Sequence, residues 1–226
     1  MMRLLIVCEG LTEVEFASQI LKPHLEARTE YGLVVTAPNL RGYRTYAEVK
    51  RFLRTILHSK TPELKVTTMI DFFKIPGDYP GRADLPGTNA LEQVQYLEKC
   101  FLEDVADDRF FPYLQLHEFE ALVLAGLPLL ADQRPNRRAS ILELAARLER
   151  DFESPEHVNH QRPPSYWIKD VVPEYDKRTD GVVTATGIGL PRLRERCRHF
   201  GQWLHQLESL VSDPPSPHER ISETQS

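Results

Sequence analysis

Three places in the sequence set an acid directly after a run of strand-forming residues. Leu4-Leu5-Ile6-Val7-Cys8 leads into Glu9, and Val66-Thr67-Thr68-Met69-Ile70 leads into Asp71. Tyr113-Leu114-Gln115-Leu116 leads into His117-Glu118-Phe119-Glu120. Carboxylates gathered at one point are costly to bury unless a cation neutralises them. Oxygen donors suit hard cations, so Glu9, Asp71 and one or both of Glu118 and Glu120 would hold magnesium or manganese. Two such ions about 4 Å apart stabilise both the attacking and the leaving oxygen of a phosphoryl transfer. Glu118 and Glu120 are two residues apart and do not share a helix face, so one of them is expected at the metal unless the segment is extended. Glu13 and Asp78 are further candidate ligands. Glu13 is equally at home as a charge in a first helical turn, and Asp78 as turn chemistry in a Pro-Gly loop. His117 is a candidate for phosphate binding or proton transfer. Lys177, after Pro173-Glu174-Tyr175-Asp176, could offset charge on a phosphate or be a surface lysine.

The elements that must position these residues alternate in type. From Thr12 the apolar spacing turns helical, with Val14, Phe16, Ala17, Ile20 and Leu21, and Thr12 is placed to cap that helix. Pro23 is expected to bend or end it. Leu33-Val34-Val35-Thr36 predicts a second strand. A helix capped by Thr45 then carries Val49, Phe52, Leu53, Ile56 and Leu57 on one face and Lys50, Arg51 and Arg54 on the other. The third strand is followed by a proline- and glycine-rich loop over residues 72–81 and a helix opened by Thr88. Strand and helix alternate three times, which predicts a parallel sheet with helices on both faces and right-handed crossovers. Parallel strands put Glu9, Asp71 and the His117–Glu120 group at the same sheet edge, where ligands bind in open α/β folds.

Beyond Glu120 the pattern becomes helical, with segments expected over 140–152 and 166–172 and a last helix after Gly187-Ile188-Gly189-Leu190-Pro191. That helix carries Leu193, Cys197, Phe200, Leu204 and Leu207 as its apolar stripe. The expected division is an α/β core over 1–126, a helical C-terminal region packed on it over 127–211, and a disordered tail over 212–226.

Composition narrows the classes. The chain has 226 residues, 41% hydrophobic and 27% charged, with a formal net charge of −5. No global positive field draws it to nucleic acid, so any polyanion contact must be local or helped by metal ions. Arg192, Arg194, Arg196 and Arg198 form such a local concentration, in helical pairs 192/196 and 194/198, and one pair could meet a phosphate backbone. A solvated helix face is the competing account. Three cysteines far apart, at 8, 100 and 197, predict free thiols in a reducing compartment. No signal peptide and no apolar run of spanning length is read, so a cytoplasmic location without membrane contact is expected. There is no phosphate-binding Gly-x-x-x-x-Gly-Lys loop and no Gly-x-Ser-x-Gly elbow. A receiver-like phospho-acceptor role for Asp71 is disfavoured by the single acid after the first strand.

The string Val7-Cys8-Glu9-Gly10-Leu11-Thr12-Glu13 resembles the first motif of the TOPRIM fold of topoisomerases, primases and overcoming-lysogenization-defect nucleases. Thr68-Met69-Ile70-Asp71-Phe72-Phe73, Gln115-Leu116-His117-Glu118-Phe119-Glu120-Ala121-Leu122 and Arg194-Glu195-Arg196-Cys197-Arg198-His199-Phe200 extend the likeness to a bacterial family of unknown function among TOPRIM-like proteins. The resemblance implies a TOPRIM-like sheet and a magnesium- or manganese-dependent nuclease site acting on DNA or RNA. Glu9 would be its first-strand glutamate and Asp71 the first acid of an Asp-x-Asp pair. Phe73 stands where the second aspartate belongs, so Asp78 or the Glu118/Glu120 pair would have to replace it. Arg194, Arg198 and His199 lie in the last matching stretch and are candidates for nucleic-acid contact. The resemblance also implies an ATPase partner in phage defence. With Phe73 in place of an acid, the alternative is a non-catalytic sensor or subunit of an ATPase complex.

Overall fold

A computed structural model describes residues 1–29, 32–158 and 162–212. The tail expected to be disordered lies outside these residues except for Ser212, and so does His160.

Five strands form one parallel sheet: β1 (Met2–Cys8), β2 (Leu33–Thr36), β3 (Leu64–Asp71), β4 (Phe110–Phe111) and β5 (Leu114–Gln115). The order is β2-β1-β3-β4, with β5 also on β3. β4 and β5 flank a break in a single edge strand. Pro112 has no amide to give, and the Thr68 hydroxyl takes the place of the ladder by accepting from Tyr113 N and donating to Tyr113 O, each at 2.9 Å. The fourth strand expected over 113–116 is therefore two short pieces that begin earlier.

Side chains alternate across the pleat. Leu4, Ile6 and Cys8 of β1 face one core, with Phe16, Leu21, Phe200, Trp203 and Leu204. Val7, Val66 and Ile70 face the other, with Val49, Leu53, Val94, Leu97 and Phe101. The first face is covered by α1 (Leu11–Phe16) and α2 (Lys22–Glu26) together with C-terminal helices. The second is covered by α3 (Tyr46–Leu57) and α4 (Ala90–Val105). This is the expected mainly parallel α/β fold with helices on both faces. The mostly helical C-terminal part follows: α5 (Glu120–Leu124), α6 (Leu127–Gln133), α7 (Arg138–Asp151), α8 (Pro164–Val171), α9 (Val182–Arg196) and α10 (Arg198–Ser212). From α10, Trp203 Nε1 donates to Thr67 Oγ1 on β3 at 2.9 Å, seating the region on the sheet.

Several local expectations change. Pro23 does not end the first helix. A π turn over Ala17–Leu21 precedes it, and the wider spacing absorbs the missing amide so that helix continues to Glu26. Gly10, not Thr12, is the N-cap of α1, and its amide donates to Glu13 Oε2 at 3.0 Å. A Cβ at Gly10 would stand 3.2 Å from that oxygen, so any side chain there would push the folded-back Glu13 outward by a few tenths of an ångström. Thr45 sits at the N-cap of α3 but its hydroxyl makes no capping bond. Asn89, not Thr88, caps α4 by accepting from Leu91 N and Glu92 N. The last helix is divided. Gly189, at φ 79°, breaks α9 two residues before Pro191, and Cys197 separates α9 from α10. The cysteines are free thiols. Among the described residues no helix is long and apolar enough to cross a membrane.

Candidate active site at the sheet edge

β1 and β3 are adjacent and parallel, so their carboxyl ends bring Glu9 and Asp71 together. Glu9 N donates to Met69 O at 3.1 Å, and Asp71 N donates to Glu9 Oε2 at 3.0 Å, which aims the glutamate across the strand ends. Glu13 comes in from the first turn of α1 and Glu120 from the first turn of α5. The fifth charge is Lys177, at the start of a π turn over Lys177–Gly181 whose N-cap, Asp176, accepts from Arg178 N and Thr179 N. Lys177 Nζ lies 3.0 Å from Asp71 Oδ2, 3.1 Å from Glu13 Oε1 and 3.7 Å from Glu120 Oε2. It also sits 5.6 Å from the centre of the Phe119 ring, within cation–π range.

Three of the acids are deeply buried: Asp71 is 1% exposed, Glu13 3% and Glu120 4%. Burial holds the Asp71 carboxyl well above the usual carboxylate range; Lys177 opposes this, and Glu13, Glu9 and Glu120 reinforce it. Burial likewise raises Glu120, against Lys177 and with Glu118. For Lys177 burial works against the charged form, yet Asp71, Glu120 and Glu13 outweigh it and hold the ammonium above its ordinary value. The phenols of Tyr43 and Tyr175 border the same charges. Burial raises both, reinforced by Glu9 and Asp71 at Tyr43 and by Glu120 at Tyr175. Neither tyrosine stands out in the residue pattern, because each reaches the site from a connecting segment.

The cluster sets Glu13, Asp71 and Glu120 against the Lys177 ammonium, with Glu9 beside Asp71. Asp71 Oδ1 and Glu13 Oε1 are buried with no hydrogen-bond partner. Glu13 Oε1 is close to Lys177 Nζ but not aligned to accept from it. Buried acceptors left over in this way call for a water or an ion. In donor type and in charge the residues fit a hard divalent cation. As the side chains stand, the ammonium holds the centre, and among the described residues no three acids, histidines or cysteines converge closely enough to bind a metal.

Other candidates are placed elsewhere. Glu118 Oε2 accepts from Ser165 N at 3.1 Å, in the first turn of α8, where a negative charge is favoured. Asp78 accepts from Tyr46 N with both oxygens at 3.0 Å and so caps α3. Neither joins the cluster around Lys177. Phe73 is 50% exposed two residues past Asp71. His117 adopts a left-handed backbone at φ 67° and is 2% exposed, with Nδ1 unpartnered. Burial pulls its pKa down to about 4, against a hydrogen bond with the backbone of Glu156. The ring is therefore neutral at pH 7 and offers no charge to a phosphate.

The expected arginine contact also changes. Arg194 pairs with Glu208 at 2.5 Å, Arg192 with Glu195 at 2.8 Å, Arg196 with Glu149 at 2.9 Å and Arg198 with Glu153 at 3.9 Å. His199 is 5% exposed, stacked on Tyr113, with Nε2 3.0 Å from Glu98 Oε1. It lies inside the molecule rather than on a surface. Glu156 accepts from His199 N and Phe200 N and caps α10.

A family model described as a domain of unknown function (DUF4276) matches residues 8–208. No curated protein matches the chain. Among solved structures it is similar to the C-terminal region of the Burkholderia pseudomallei OLD protein, at 16% identity and a TM-score of 0.49, covering 93% of this chain and 99% of that one. It is also similar to the C-terminal region of the Xanthomonas campestris pv. campestris OLD protein, at 15% identity and a TM-score of 0.40, covering 91% and 95%.

Proposed function

The chain belongs to the family described as a domain of unknown function, DUF4276, and from the acids gathered at its sheet edge we propose that it is a divalent-metal-dependent nuclease. One observation carries the reading. Three carboxylates, from α1, β3 and α5, meet around the Lys177 ammonium, Glu9 stands beside them on the Asp71 amide, and two buried carboxylate oxygens are left unpartnered. Magnesium or manganese bound by Glu9, Glu13, Asp71 and Glu120 would activate water and neutralise charge on a phosphodiester. Glu9 is oriented for this by the Asp71 amide. Lys177 stays protonated and carries positive charge to a phosphate oxygen as negative charge develops there. His117, neutral and unpartnered at Nδ1, is a proton acceptor rather than an anion receptor.

The test is cleavage of single- and double-stranded DNA and RNA with magnesium, with manganese and with chelator. Cleavage that needs the metal and is lost in Asp71→Asn and Glu120→Gln is expected. Substrates left intact under every metal would overturn the reading. The presence of Phe73 where an acid is expected, and of an ammonium amid the carboxylates, favours a second reading: a non-catalytic sensor or subunit of an ATPase complex. Calorimetry separates the two, since such a subunit takes up no divalent ion through Glu9, Asp71 and Glu120.

A further inference from the structure

Most arginines of the described residues are spoken for: those at 28, 109, 134, 137, 138, 147, 150, 178, 192, 194, 196 and 198 each have a carboxylate partner. Arg41, Arg44 and Arg51 are exposed, and among the described residues no ion pair occupies their guanidinium groups. Residues 39–58 hold five cations, at Arg41, Arg44, Lys50, Arg51 and Arg54, against the single acid Glu48, a net +4 in a chain of net −5. Lys50 is paired with Asp104 at 2.7 Å, and Arg54 adds to the field on that same acid. Within this segment the charge not directed at an acid therefore lies at 41, 44 and 51.

This strip begins at the acid cluster. Leu40 N donates to Cys8 O at 2.9 Å and Gly42 N to Glu9 O at 3.1 Å, which ties the loop to the end of β1. Tyr43, between Arg41 and Arg44, feels the charges of Glu9 and Asp71. A groove of about 390 Å³ runs from Leu40, Gly42 and Tyr43 past Glu48 to Arg51 and Thr55 on α3. Arg51, Arg54 and His58 follow at helical spacing along the same exposed flank. Arg41 is held in the left-handed region at φ 59°, with its amide on Asn39 Oδ1, a conformation that costs about 1 kcal/mol or more in a residue other than glycine.

We propose that Arg41, Arg44 and Arg51 form the track on which a nucleic-acid sugar–phosphate backbone lies as it enters the acid cluster. The inference rests on the nuclease reading for its purpose. Its charge and geometry stand apart from that reading. A negatively charged cluster repels a polyanion, so the approach must be carried by unneutralised cations beside it. The strip supplies them, and the paired arginines of α9 and α10 do not.

The test is fluorescence anisotropy of labelled single- and double-stranded oligonucleotides in chelator, where no cleavage occurs. The variants are Arg41→Glu/Arg44→Glu/Arg51→Glu and, as a control of equal charge change, Arg137→Glu/Arg138→Glu/Arg150→Glu. Both sets are exposed, and far-UV melting checks that each variant is folded. The strip variant should bind on the order of tenfold or more weakly, and its salt slope should fall by about 2–3 on duplex, one phosphate contact per arginine. The control should bind as wild type does. Equal loss in both variants, no loss in the strip variant, or no binding by wild type overturns the proposal. Loss confined to capture of an acidic protein partner overturns it as well. Cleavage assays keep the two readings apart. Wild type that cleaves while the strip variant binds normally sinks only the track. Wild type that never cleaves while the strip variant loses binding sinks only the nuclease.

Discussion

Lys177 Nζ donates to Asp71 Oδ2 at 3.0 Å, although 106 residues separate the two. The lysine arrives from a turn in the helical region and the aspartate from the end of β3. This contact joins the C-terminal part to the sheet edge at the point where acids are densest.

Lys177→Met should therefore destabilise the fold by about 2–3 kcal/mol, because removing one partner leaves buried charge uncompensated. The sign of the pH dependence follows. The ammonium of wild type is held more tightly folded than unfolded, so its contribution is complete below about pH 10 and declines as pH rises past that. Asp71 is raised when folded, so the variant, with the lysine's opposition gone, should regain stability as pH falls from 7 toward about 5. Urea unfolding across this range measures it. Added manganese should also restore stability, and a deficit indifferent to both pH and manganese would contradict the charge account.

Glu118 and Glu120 should separate by function. Glu120→Gln should lower divalent affinity on the order of tenfold or more in calorimetry, because it removes an oxygen from the cluster. Glu118→Gln should leave that affinity unchanged and cost about 1 kcal/mol at the start of α8. Asp78→Ala should likewise cost about 1–2 kcal/mol through α3 with metal binding intact. The reverse assignment in either pair would contradict the geometry.

His117 gives a titration that can be isolated. Its pKa is about 4 when folded against an ordinary 6.5, so the unfolded chain binds the extra proton between those values. Stability should thus fall by about 3 kcal/mol as pH drops from 6.5 to 4. His117→Asn tolerates the left-handed backbone and should lack that part of the slope. A resonance assigned to His117, by its loss in His117→Asn, that titrates near 6.5 in the folded protein would refute it.

Phe73 is half exposed two residues past Asp71, so a polar side chain there displaces no core. Phe73→Asp should fold normally and raise manganese affinity several-fold. Unchanged affinity would place that side chain outside the reach of the ion.

Much of this was legible in the order of residues. The runs before Glu9, Asp71 and His117 have the apolar, β-branched character of buried strands, and helical spacing between them demands crossovers and hence parallel pairing. That alone sets Glu9, Asp71 and Glu120 at one edge. What residue order left open was the use of each acid. Asp78, Glu118 and Glu156 carry the same charge as the cluster acids, but each sits on helix-start amides 32, 47 or 43 residues away. A carboxylate is stabilised alike by a cation and by the exposed amides of a helix start, and periodicity along the chain registers neither partner when it lies dozens of residues off. The same holds for the arginines. Their types and spacing on α9 promised a free charged face, and only packing placed Glu208, Glu149 and Glu153 against it and left Arg41, Arg44 and Arg51 uncovered, because pairing is decided by which surfaces the fold brings within about 4 Å.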